Sequence, residues 1–412
     1  MHAWPRPYVP ALPASGPERL SLYDSAAAAV RPVGPPAGEA RIYVCGITPY
    51  DATHLGHAFT YLTFDLVIRA WLDLGLDVDY AQNVTDVDDP LLERAAATGA
   101  DWEELAKEQT DLFRADMTAL RVIPPDHYVG VVESVQEIAA TVARLRDLGV
   151  AYQVTEGYAD WYADRSRVTA FGDVSHFDHD EMLATFAERG GDPDRPGKRD
   201  PLDWLLWRQE REGDPAWDSE VGRGRPGWHI ECTTIATQSL DGQVHVQGGG
   251  SDLVFPHHEM CAAEGRALTD HDFADAYVHV GMVGLDGEKM SKSRGNLVFV
   301  STLRAAGVDP MAIRTALLGH HYRTDWEWTD ADLARAHERL DLWRKAVQGR
   351  TAVPAADLVT EVREALRDDL HAERALAAVD AWAIASLTAA TDDPDARVTV
   401  STLVDALLGV RL

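Results

Sequence analysis

Arg41-Ile42-Tyr43-Val44-Cys45-Gly46-Ile47-Thr48-Pro49-Tyr50-Asp51-Ala52-Thr53-His54-Leu55-Gly56-His57 changes character twice. Arg41 to Cys45 is an apolar, partly β-branched run that reads as a buried strand. Gly46 to Thr53 reads as a loop. From His54 to Leu74 the apolar residues recur at helical spacing, and Gly75 ends the pattern. Val78 to Val84 reads as the next strand. A strand–helix–strand unit of this length predicts an α/β fold with a parallel sheet and a right-handed crossover.

Outward from this unit, helical spacing returns at about 101 to 121 and 132 to 148. Between about 150 and 225 the chain holds short strand-like pieces (Tyr158 to Tyr162) and the turn-rich stretch Glu188 to Pro201. This segment reads as an insertion between two halves of the sheet. Parallel-strand signals resume at Val244-His245-Val246 and Ala276 to Val280. Beyond residue 300 the pattern is helical, through Ala331 to Val347 and Leu358 to Leu387. The first forty residues, rich in Pro, Gly and Ala, read as an arm or irregular cover. The expected division is 1–40 arm, 41–135 first sheet half, 136–225 insertion, 226–300 second sheet half and 301–412 helical region.

The 412-residue chain suits two or three domains. Its net charge of −29 argues against a general nucleic-acid binder, which leans on Lys and Arg. There is no apolar run of about 18 residues, so no membrane span is expected. The proline-broken start lacks the basic and apolar parts of a secretory signal, which leaves a cytoplasmic protein as the expectation. Cys45, Cys232 and Cys261 are odd in number and long and irregular in spacing, which argues against a disulfide framework in a chain expected to be cytoplasmic.

Two motifs point to chemistry. His54-Leu55-Gly56-His57 places two imidazoles on the first turn of a helix. The free N–H groups and dipole of that helix end suit phosphates, and Gly56 lets a group approach the backbone. Surface histidines are the plain alternative. Lys289-Met290-Ser291-Lys292-Ser293, between Gly287 and Gly295, offers two ammonium groups to different phosphate oxygens, where charge grows on departing pyrophosphate. The alternative is a solvated basic loop. A third constellation comprises Cys45, Cys232 in Gly227-Trp228-His229-Ile230-Glu231-Cys232, and the pair His257 and His258. Two Cys and one His suit a catalytic zinc with one open position; buried thiols and a satisfied histidine are the alternative. An open zinc position would take a substrate thiolate and so favour cysteine over serine or alanine.

The two signatures in this order resemble the class I aminoacyl-tRNA synthetases, and the surrounding words resemble their cysteinyl branch. Those words are Cys45 to His57, Gly227 to Cys232, Gly248-Gly249-Gly250-Ser251-Asp252 through Glu259, and Lys289 to Asn296. The resemblance implies a Rossmann-like (HUP-type) nucleotide-binding sheet split by an insertion and followed by helices. It implies ATP with Mg2+ as co-substrate, one Zn2+ on Cys45, Cys232 and His257, and His54, His57, Lys289 and Lys292 as catalytic groups. It also implies cysteine and nucleotide contacts from Cys45, Gly46, Ile47, Thr48, Thr60, Asn83, Val84, Thr85, Trp228, the Gly248 to Asp252 loop with Gly250, Ser251 and Asp252, Val283, Ser291 and Ser293.

Four features depart from the tRNA enzymes. Cys261 stands where their pattern has a glutamate that often completes the metal site, so it reads either as a fourth ligand or as a buried thiol. Pro49 replaces a β-branched residue and stiffens the loop. Glu188-Arg189-Gly190-Gly191-Asp192-Pro193 is foreign to them. Only about 119 residues follow Ser293 (412 − 293), and from Thr351 onward the chain is acidic with Trp382 as its single aromatic. That is poor equipment for reading an anticodon. Together these features resemble the mycothiol-pathway branch, whose members join L-cysteine to the amine of glucosaminyl-inositol through a cysteinyl-adenylate. The expectation is a monomeric, AMP-forming ligase with small-molecule substrates and no tRNA; a compact cysteinyl-tRNA synthetase is the rival.

Overall fold

The computed structural model describes residues 1–13, 16, 18–241, 243–285 and 297–412, and the backbone of 288–289. In chain order, the arm carries a hairpin of β1 (Ser21–Asp24) and β2 (Ala29–Pro32). The sheet begins with β3 (Glu39–Val44), α1 (Leu55–Asp73), β4 (Asp77–Val84), α2 (Asp89–Thr98), α3 (Trp102–Ala119), β5 (His127–Gly130) and α4 (Val135–Asp147). A separate stretch follows: β6 (Ala151–Val154), β7 (Asp160–Ala163), α5 (His179–Glu188), β8 (Trp204–Gln209) and β9 (Gly224–Pro226). The sheet resumes with α6 (Trp228–Ser239), β10 (Val244–Gly250), α7 (Glu259–Thr269) and β11 (Ala274–Val280). Short strands β12 (Val283–Leu285), β13 (Glu288–Lys289) and β14 (Trp326–Glu327) bracket α8 (Val300–Ala305) and α9 (Pro310–Leu317). The chain closes with α10 (Asp330–Gln348), α11 (Ala356–Arg367), α12 (Ala372–Thr388) and α13 (Pro394–Leu408).

The central sheet is parallel, in the order β11-β10-β3-β4-β5. From β3 the chain winds outward to β4 and β5, then returns on the other side of β3 with β10. The order therefore reverses between β3 and β10, and open α/β sheets bind ligands at the carboxyl ends of such a pair. Strands β6 to β9 form their own antiparallel sheet.

Helix α1 is buried nearly all round because the sheet covers one side and α9 and α13 the other. The His54 side chain caps its start by accepting from the His57 N–H at 3.3 Å. Gly75, at φ +78°, turns the chain beyond its end. Midway along α1, Asp65 is fully buried between two fully buried guanidiniums. Arg69 Nε donates to Asp65 Oδ2 at 2.7 Å, and Arg314 of α9 donates to the same oxygen. Both arginines also reach backbone carbonyls at the end of α13 (Asp405, Ala406 and Leu408).

The first forty residues do more than cover. Trp4, Leu20, Leu22 and Val33 are buried in the main core, with the Trp4 ring edge-on to Phe113 and Tyr128. The expected helical run Leu358 to Leu387 breaks between Arg367 and Ala372. There Asp369 and Leu370 take positive φ, and the buried Asp369 carboxylate accepts from the Tyr23 N–H at 2.9 Å and the Tyr322 hydroxyl at 2.6 Å. Among the described residues no helix is long and apolar enough to cross a membrane.

Candidate active site

A cavity of about 1140 Å³ opens at the carboxyl ends of β3 and β10. At its base the sulfurs of Cys45 and Cys232 and a ring nitrogen of His257 all lie within 4.8 Å of one another. Each comes from a different element: the end of β3, the second turn of α6, and the irregular turn ahead of α7. Burial opposes the thiolate at both sulfurs. Cys232 is nonetheless held well below the ordinary thiol range, by hydrogen bonds from Cys45 and by the His257 ring. Cys45 is pushed well up by burial and by the charge on Cys232. Two thiolates here would therefore need a cation between them. His257 Nδ1 faces His229 Nδ1 at 3.0 Å, while its Nε2 is buried without a partner among the described residues. An orphaned imidazole nitrogen beside two thiols fits a tetrahedral metal with one position left open.

Trp228, at the start of α6, stacks on the His257 ring with centroids 4.5 Å apart. Gly46 N–H donates to Asn83 Oδ1 at 2.7 Å, and Tyr43 to the same oxygen at 2.9 Å. This locks the ends of β3 and β4 together. His54 and His57 stack with centroids 3.7 Å apart. Because His54 Nδ1 accepts from backbone, its Nε2 carries the proton and serves as a donor. Burial lowers the His57 pKa to about 4, so its imidazole is neutral at neutral pH and does not act as a cation. Asp88 also lines the cavity, and burial raises it to about 6.

Of the residues expected from sequence, Cys45, Gly46, Ile47, Thr48, His54, His57, Thr60, Asn83, Thr85, Trp228, Cys232, Gly250, Asp252, His257 and Val283 line this cavity. Val84 does not; it alternates to the opposite face of β4 from Asn83 and sits in the core. Ser251 does not line it either. The expected Gly248 to Asp252 loop is largely strand. Gly248 and Gly249 lie near the end of β10, which runs to Gly250, and a Cβ there would strike Phe64 at 2.3 Å or Leu253 at 2.8 Å. Cys261 is outside the three-ligand set: its Sγ contacts the His229 carbonyl at 3.4 Å, and burial pushes its pKa well up. The backbone bend ahead of α7 falls at Phe255, before His257, so the spacing of His257 and Cys261 is helical; the Cys261 Sγ nonetheless turns to the His229 carbonyl and stays out of the set. The side chains of Lys289, Ser291, Lys292 and Ser293 lie outside the described residues; the Lys289 backbone pairs with Gly284.

Sequence reasoning missed a buried histidine chain beneath the thiols. Ser25 Oγ meets His279 Nδ1 at 2.7 Å, His279 Nε2 meets His258 Nδ1 at 2.8 Å, and His258 Nε2 meets Cys45 Sγ at 3.3 Å. Burial lowers both rings, His279 to about 4. It also missed Glu259, a buried carboxylate that accepts from Gly172 N, Val174 N, Ser175 N and Ser175 Oγ at 2.8 to 3.2 Å. Glu259 thereby ties the stretch between β7 and α5 to the turn that carries His257.

Residues 34–338 match the family model for tRNA synthetases class I (C) catalytic domain. This chain belongs to that class I (C) synthetase family. Its whole length is 59% identical over 413 residues to the L-cysteine:1D-myo-inositol 2-amino-2-deoxy-alpha-D-glucopyranoside ligase of Thermobifida fusca, covering 99% of that protein. The ligase of the same name from Streptomyces coelicolor is 59% identical, with full coverage of both chains. Among solved structures, the methionyl-tRNA synthetase of Mycobacterium tuberculosis with methionyl-adenylate is similar at TM-score 0.61. The match covers 90% of this chain and 92% of that one at 16% identity, a likeness of fold. The class I synthetase fold expected from sequence is therefore present.

Proposed function

We infer that the chain is an ATP-dependent, AMP-forming ligase that joins the carboxylate of L-cysteine to the amine of glucosaminyl-inositol. The supporting observation is a single cavity that holds a thiol-binding set and the paired histidines of the class I fold, in a chain matching the named ligases end to end. Cysteine activation and amide formation balance simply. The carboxylate oxygen bonds to the α-phosphorus of ATP and pyrophosphate leaves. The amine lone pair then bonds to the activated carbonyl carbon, the C–O bond to phosphate breaks, and AMP departs with that electron pair while the amine gives up a proton.

Cys45, Cys232 and His257 would hold Zn2+, which when bound supplies Lewis-acid stabilisation of a substrate thiolate. Trp228 closes one side of the thiol pocket. Asn83, by fixing Gly46, presents bare backbone to the cysteine. His54 Nε2–H and neutral His57 donate hydrogen bonds to phosphate oxygens, and Lys289 and Lys292 are assigned to the leaving pyrophosphate. Mg2+ would accompany ATP. Holding both reactants in one cavity supplies much of the second step, because the adenylate is already reactive. The same reading makes the protein a cytoplasmic monomer that does not charge tRNA. From Thr351 to Leu412 eleven acids face five bases.

Purified protein with ATP, Mg2+ and cysteine should release AMP when glucosaminyl-inositol is added and not when tRNA is added. Release with tRNA alone would establish the compact synthetase instead. The metal reading has its own test: about one zinc per chain by elemental analysis, lost in Cys45→Ala/Cys232→Ala. Full zinc content in that double variant would sink the assignment.

A further inference from the structure

The cavity is larger than the roughly 300–1,000 Å³ typical of a single-ligand pocket, and one of its walls takes no part in the adenylation chemistry above. That wall comes from the antiparallel sheet and the turn after α5. It includes Tyr158, Tyr162, Glu188 to Asp192 and Arg195, and it contains the Glu188-Arg189-Gly190-Gly191-Asp192 stretch that departs from the tRNA enzymes.

The wall is built and fixed. The Arg189 guanidinium donates to the backbone carbonyls of Asp252 and Phe255. This fastens the stretch to the turn that carries Asp252 and His257, so the wall stands beside the place where the cysteine carboxylate is activated. The Asp192 carboxylate is oriented by the Tyr162 hydroxyl and by Lys198 Nζ at 3.1 Å, yet its side chain stays 40% exposed. Glu188 is exposed and has no hydrogen-bond or ion-pair partner among the described residues. Arg195 pairs with the buried Asp160 at 2.7 Å and keeps a buried Nε without a partner. Between the two acids, Gly190 takes φ +86° with open space where a Cβ would be. Gly191 has the Phe186 ring 2.4 Å from its Cβ position. The chain there offers bare backbone flanked by two carboxylates.

We propose that this wall is the acceptor subsite, with Glu188 and Asp192 receiving the ammonium and hydroxyl groups of the amino sugar across the bare backbone of Gly190 and Gly191. A polyhydroxylated amine needs a carboxylate for its cation and paired acceptors and donors for its hydroxyls. A nucleic-acid end would bring phosphates, which two carboxylates repel. The assignment rests on the ligase reading and adds to it the residues that choose the acceptor.

The test uses the full-length Glu188→Gln and Asp192→Asn variants with two readouts: cysteine-dependent ATP–pyrophosphate exchange, and the KM for glucosaminyl-inositol in amide formation. Loss of a charged hydrogen bond to the acceptor should raise KM by about tenfold or more while exchange persists. A KM within about twofold of the parent in both variants overturns the subsite. Should Asp192→Asn fail to fold, Glu188→Gln, at an exposed position with no internal partner, decides alone. Absence of exchange in the parent protein is a different failure: it removes the cysteine-activation reading itself.

Discussion

Replacing Asp65 by Asn would remove one negative charge from a site where two guanidiniums are wholly out of water. Asp65, Arg69 and Arg314 each have fully buried side chains. The Asp65 carboxylate also accepts from the Ile123 N–H at 2.8 Å. Burial opposes its charge, but Arg314 and Arg69 outweigh that and hold its pKa below the usual carboxylate value. Removing one partner of a buried ion pair strands the others, at about 3–5 kcal/mol. Unfolding entropy of about 2.1 cal/mol/K per residue over 412 residues comes to about 0.9 kcal/mol/K, so the midpoint should fall by about 3–6 °C. Asp65 lies eleven residues along α1 from His54, or about 16 Å at 1.5 Å per residue. Cysteine-dependent exchange at 25 °C should therefore change little. Calorimetry of the purified variant measures the first quantity and an exchange assay the second. A midpoint within 1 °C of the parent would mean that the two arginines are neutralised by something other than Asp65, and the account of how α1 is held to α9 and α13 would be wrong.

Two further outcomes are expected. Burial raises Glu264 to about 8, while Trp204 Nε1 and Thr233 Oγ1 donate to it. Between its unfolded value near 4.5 and about 8 the folded state holds the extra proton, so the contribution is full below 4.5 and is lost as pH rises through 8. Glu264→Gln should flatten the fall of the thermal midpoint between pH 6 and 9, and parallel curves for the two proteins would refute the shift. A Cβ on Gly46 would lie 1.6 Å from the Asn83 carbonyl oxygen, so Gly46→Ala must part the ends of β3 and β4. It should abolish cysteine-dependent exchange and lower the midpoint, and near-normal exchange would show that this junction yields.

Four of the five strands of the parallel sheet were legible as short runs set between stretches of helical spacing; β5, with only His-Tyr-Val-Gly, is too short to stand out. Helix α2 escaped notice although its signals stand in the sequence: Asp88 as N-cap, Pro90 in the first turn and Gly99 at φ +68° beyond its end. Strand β8, Trp-Leu-Leu-Trp-Arg-Gln, hides because its apolar residues do not alternate; it is covered on both faces for much of its length. The thiol set and the His54–His57 pair were readable as words with a fixed order. The roles of His258, His279 and Glu259 were not. A buried histidine or carboxylate announces its partners only once Ser25, 254 residues away from His279, or Ser175, 84 residues from Glu259, is brought against it.

The placement of the arm has a consequence for the order of events at the ribosome. The Tyr23 N–H pairs with Asp369, 346 residues later, and the Tyr277 N–H with Asp24, 253 residues earlier. At about 5–20 residues per second of synthesis, the hairpin waits roughly 17–70 s before Asp369 has been made. A hairpin whose outer edges stay uncovered for that long is an aggregation hazard. Five prolines among the first seventeen residues keep the chain leading into the hairpin from pairing while it waits.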